Sequence, residues 1–193
     1  MLSYDYSDLE TSLAPYFDLF HTAVTFGWNE WRRKYKDDAS ILTRRSRASI
    51  VRDHILSKAI ALVADKPELR IVSYRGRDFI VIHDQVLVTF KKLDRKGRAS
   101  NPATDQSTKI NEQIPLSGMP LGAKYVQAGY ILDVTQSDFQ EMRLTYQCGT
   151  DVLWHLTLSD ANVPAPRLED APQQPERVSR NIRPKIEKPS VIK

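Results

Sequence analysis

Cysteine is nearly absent from this sequence: Cys148 stands alone among 193 residues. A single thiol forms no intrachain disulfide and no thiolate cluster for zinc. Glycine is scarce as well, with seven residues, and "GRDFIVI" lacks the glycines and the lysine of a phosphate-cradling loop. Long apolar runs are missing. None approaches the roughly 18 residues that cross a bilayer, so no membrane association is expected. The opening residues, "MLSYDYSDLE", carry neither the basic nor the apolar stretch of a secretory signal, and the expectation is a cytoplasmic protein. His21, His54, His83 and His155 sit in separate segments, none paired at the one-turn spacing of zinc ligands. No metal site and no cofactor is expected.

Basic residues are missing from the first 31 positions, which hold Asp5, Asp8, Glu10, Asp18 and Glu30. From Arg32 to Lys58 the balance reverses, with nine cations against Asp37, Asp38 and Asp53. Such a step gives the chain a directional electrostatic surface. The net charge is only +4, which permits an acidic partner without demanding one.

What is present is a helical stripe followed by strands. Leu9, Leu13, Phe17, Phe20, Val24, Trp28, Trp31 and Tyr35 recur every three or four residues. Pro15 predicts a break, and Ser7-Asp8-Leu9-Glu10 has the spacing of a capping box. A second helix is predicted from about Ser46 to Ala64, closed by Pro67. The period then shifts to that of strands in "LRIVSY", "RDFIVIHD" and "VLVTFKKL", with turns at Tyr74–Arg77 and Asp84-Gln85. The polar segment 95–120 reads as a long surface loop with room for a short helical turn. "KYVQAGYILDV", "FQEMRLTYQ" and "VLWHLTLS" supply three further strands. The expected fold is α+β: two N-terminal helices packed on an antiparallel sheet of about five or six strands, within a single domain over 1–160. The segment 161–193 holds six prolines and no aromatic residue, seven cations and four acids, and is expected to be disordered alone or ordered on a partner. Within it Ile182, Arg183, Lys185 and Ile186 are the candidate partner-binding residues.

In "FGWNEWRRKYK" two tryptophans precede four cations. A stacking platform for bases would need exposed rings. Helical spacing instead puts Trp28 and Trp31 on the apolar face with Phe20 and Val24, which favours buried rings and solvated charges. Arg44, Arg45, Arg47 and Arg52, in and after a basic loop before the second helix, are the candidates for binding nucleic acid or another anion. His83-Asp84 cannot form a dyad on a simple strand, because neighbours point to opposite faces. Asp78 followed by Lys91 has the acid-then-lysine order of restriction-type nucleases, but Thr89 occupies the place of the second acid, and that reading is set aside.

"AGYILD" (Ala128–Asp133) followed by "VLWHLTL" (Val152–Leu158) resembles a group of uncharacterised bacterial proteins encoded beside Xre- or ImmA/IrrE-type regulators in toxin–antitoxin-like pairs. The likeness covers about the last 40 residues of the expected domain and is a strand pattern without catalytic residues. It implies a growth-inhibitory protein held inactive by a protein partner, an antitoxin or regulator. A nucleic-acid-binding module using the basic 32–58 region and the tail is the alternative.

Overall fold

The computed structural model describes residues 6–99 and 104–159. Pro15 divides the first apolar stripe as its missing N–H requires. Helix α1 (Ser7–Leu13) passes through a 3-10 turn (Ala14–Tyr16) into α2 (Phe17–Tyr35). The expected capping box does not form. Tyr6 is the N-cap, no side chain caps it, and the Glu10 N–H donates to the Tyr6 carbonyl at 3.0 Å. Helix α3 (Arg44–Val63) begins two residues earlier than the spacing predicts, because Thr43 caps it by accepting from the Ser46 N–H at 3.0 Å.

Six strands follow: β1 (Leu69–Tyr74), β2 (Arg77–Ile82), β3 (Val86–Lys92), β4 (Lys124–Leu132), β5 (Phe139–Cys148) and β6 (Asp151–Leu158). Their order in the sheet is their order in the chain. Pairing is antiparallel except between β3 and β4, which run parallel. The reason is the connection 93–123, which carries helix α4 (Asp105–Asn111) and returns the chain to the end of the sheet where β3 began. The β1–β2 turn places Arg75 and Gly76 at φ 48° and 76°, the left-handed pair that matches strand twist in a two-residue hairpin. His83 was expected on a strand. The chain instead leaves the sheet at Ile82, and His83 and Asp84 turn through φ 47° and 56°. The His83 ring then lies 3.2 Å from the Tyr16 hydroxyl, a contact between turn and helix.

One face of the sheet buries Ile80, Ile82, Val88, Phe90, Val126, Ala128, Tyr130 and Leu144 against α1, α2 and α3. On the other face Phe79, Val81, Leu87 and Tyr125 pack under Ile110 and Leu116 of the crossover. Each fully buried Leu, Ile or Phe contributes roughly 1.5–3 kcal/mol relative to exposure. Among the described residues no helix is long and apolar enough to cross a membrane.

Trp28 and Trp31 are interior, 3% and 4% exposed, with stacked rings 5.0 Å apart. Three of the four cations behind them pair with acids. Glu30 pairs with Arg33 at 2.9 Å and Lys34 at 2.8 Å, and the bond from Arg33 does most to hold its carboxyl down at about 2. Arg32 reaches Asp138 at 3.2 Å. With the partly exposed Trp154 replaced by Phe, the remaining indole emission is expected to be blue-shifted and poorly quenched by iodide. Free quenching in the folded protein would show that the rings lie on the surface.

Candidate anion-binding site

Parallel strands bring their carboxyl ends to the same end of a sheet, and here that end carries cations. β3 finishes in Lys91-Lys92, and β4 finishes beside it at Leu132. The first turns of α3 lie across from them. Between these elements opens a cleft of about 860 Å³, within the range of small-ligand sites. Arg44, Arg45 and Arg52 line it from α3, Lys91 and Lys92 from β3, and Arg95 from the turn that follows.

Two acids also line the cleft, Asp94 and Asp133, but both are committed to their own turns. Asp94 Oδ1 accepts the Lys96 and Arg98 N–H groups at 2.9 Å each, while Oδ2 accepts the Arg98 guanidinium at 3.0 and 3.1 Å. Burial pulls the Asp94 carboxyl upward, yet the bonds to Arg98 outweigh it and hold the group below the usual range. Asp133 accepts the Thr135 hydroxyl and the N–H groups of Ser137 (2.8 Å) and Asp138 (3.1 Å), which bring its carboxyl to about 2. The Arg98 guanidinium offsets the Asp94 charge, whereas Asp133, bonded only by neutral donors, brings one negative charge to the lining.

The consequence is read in the lysines. Burial, with repulsion from Arg77 and Arg52 added to it, pushes the Lys91 ammonium down to about 8. Lys92 is lowered by burial and by Arg47 and Arg44, although its Nζ donates to Gln136 Oε1 at 2.8 Å. Arg77 is lowered by burial and by Arg52. Among the described residues Arg44, Arg45, Lys91 and Arg95 have no carboxylate partner. Unpaired cations held together repel one another, and an entering anion relieves that repulsion.

The four arginines singled out in the sequence divide into two kinds. Arg44 and Arg45 are exposed in the first turn of α3 and face the cleft. They were expected in a loop before the helix. Arg52 lines the cleft too, with its guanidinium 3.1 Å from Asp78 Oδ2. Arg47 does something else. Its NH1 donates to the Gln136 carbonyl at 2.6 Å, and its guanidinium lies 5.4 Å above the Trp31 ring. It ties α3 to the β4–β5 turn over a buried aromatic. Lys92 and Arg95 were not singled out, and Lys91 was weighed only as a nuclease lysine. The legible signal was "FKKL", two lysines closing an apolar strand at one end of the sheet. Ile182, Arg183, Lys185 and Ile186, with the rest of 161–193, lie outside the described residues.

Other chemistry-bearing residues stay apart. Cys148 is exposed at the end of β5, and among the described residues no three His, Cys, Asp or Glu side chains are grouped for a metal ion. The chain matches no family model, no curated protein and no solved structure, so function has to be read from the cleft itself.

Proposed function

We propose that the protein is a phosphoanion-binding module whose ligand docks in the cleft between α3 and the ends of β3 and β4. The observation that carries this reading is the gathering of Arg44, Arg45, Lys91 and Arg95 into one concavity, where the lining cations outnumber Asp94 and Asp133 six to two. A phosphate accepts several charge-assisted hydrogen bonds at once and suits such a site. The position of Arg44 and Arg45 supports it further. The first turn of α3 holds no acid, although the helix dipole favours acids there and disfavours cations. Nucleic acid and a small phosphorylated molecule share this chemistry.

Inorganic tripolyphosphate is the direct probe, with affinity followed by calorimetry over salt and pH. Binding is expected to weaken as salt rises, through screening of the charged groups. A bound anion returns the Lys91 ammonium from about 8 toward its ordinary value near 10.5. Between those values the complex holds more protons than the free protein. Once the probe's own last ionisation is subtracted, affinity therefore falls as pH rises through that window, with protons taken up from buffer on binding. Binding that ignores both salt and pH would contradict the reading, as would no binding.

A further inference from the structure

Several cations elsewhere on the surface are paired with acids. Arg32 pairs with Asp138, Arg33 and Lys34 with Glu30, Arg70 with Asp84, and Lys109 with Asp105. A nucleic-acid strand is held differently, by a groove of cations that tracks its backbone with aromatic faces between them. Here the aromatic pair is interior, and the charges without carboxylate partners that line the cleft converge on one concavity instead of running along a track.

Apart from Gln136, the remaining lining is apolar. Phe90 and Leu93 come from β3 and the residue after it, Ile131 and Leu132 from β4, and Val134 from the turn that follows. Val134 is the accessible one: it is 79% exposed at the rim, an apolar side chain left in water beside a charged cavity. A ligand that is all phosphate leaves that surface wet, whereas one with a flat apolar ring covers it. A triphosphate brings roughly four negative charges at neutral pH. Arg44, Arg45, Lys91 and Arg95 offer as many positive ones.

We propose that the ligand is a nucleoside polyphosphate, its phosphates on the cations of α3 and β3 and its base against the apolar wall that ends at Val134. This rests on the phosphoanion reading and goes beyond it by assigning the non-phosphate part of the ligand. The cleft is thus a receptor for one small molecule.

Calorimetry in magnesium-free buffer at fixed ionic strength tests it with three probes: the common nucleoside triphosphates, inorganic tripolyphosphate, and a short single-stranded oligonucleotide. At least one nucleoside triphosphate is expected to bind about tenfold more tightly than tripolyphosphate, since covering one ring face is worth about a factor of ten. Val134→Ser, at an exposed position, should shrink that surplus severalfold and leave tripolyphosphate affinity unchanged. Equal affinity for nucleotide and tripolyphosphate overturns the base contact while the phosphoanion reading stands. An oligonucleotide that outcompetes the nucleotide overturns the small-molecule assignment. If no probe binds, both readings fall.

Discussion

Arg44→Glu combined with Arg45→Glu is expected to lower affinity for tripolyphosphate by at least two orders of magnitude while making the protein more stable. The two effects have one origin. Hydrogen bonds to charged groups contribute about 1.5–3 kcal/mol each, so losing one from each arginine removes a factor of about a hundred or more. Glutamate adds repulsion to that loss. Folding is not at risk, because both side chains are exposed. At the start of α3 acids are what the helix dipole prefers, worth roughly 0.3–1 kcal/mol at each position. A thermal melt should therefore shift upward as binding disappears. Opposite signs for the two readouts distinguish an arginine pair kept for a ligand from a merely solvated one. A variant that is more stable yet binds as before would exclude these residues from the site.

Gly27→Ala should destabilise the fold by about 1–3 kcal/mol, the usual range for overpacking a tight contact. For a chain of this size that lowers the melting midpoint by roughly 2–4 °C per kcal/mol. Propensity argues the other way, since alanine in a helix interior is better than glycine by about 1 kcal/mol. Contact geometry decides it. A methyl at position 27 would sit 2.3 Å from Ile55 Cγ1, 2.8 Å from the Ile55 nitrogen and 3.0 Å from the Val51 carbonyl oxygen. Ile55 could rotate, but the two backbone atoms yield only if α2 and α3 separate. Separation would also unseat Trp28 and Val51, which share that core. An unchanged or higher midpoint would show that the helices part easily.

How much of this was legible in the sequence depends on which forces are local. The stripe from Leu9 to Tyr35, the break at Pro15 and the strand segments are written at short range, and the α+β fold follows from them. The start of α3 was misplaced for a physical reason. Thr43 and Ser46 have the spacing of a helix cap, but the arginines between and after them contradict what a first turn prefers, so they read as loop. The parallel β3–β4 pairing has no turn to announce it. The cleft was hidden because α3 and the end of β3, far apart in the chain, come together only in the folded molecule. The residues that carry the resemblance to proteins encoded beside bacterial regulators, such as Ala128, Tyr130 and Leu158, are core positions. They report packing and identify no site.

The sheet consists of two three-stranded ribbons, each stitched by its own tight turns, joined edge to edge along β3 and β4. Turns within a ribbon close over a few residues, whereas the joint between ribbons must wait for some thirty residues of crossover to be laid down, a slower entropic step. The cleft lies at that joint, with its cations on α3, β3 and Arg95 and its other wall on β4 and the turn after it. A ligand that fills it therefore recognises only completed molecules and holds the two halves together from the end where the chain itself does not.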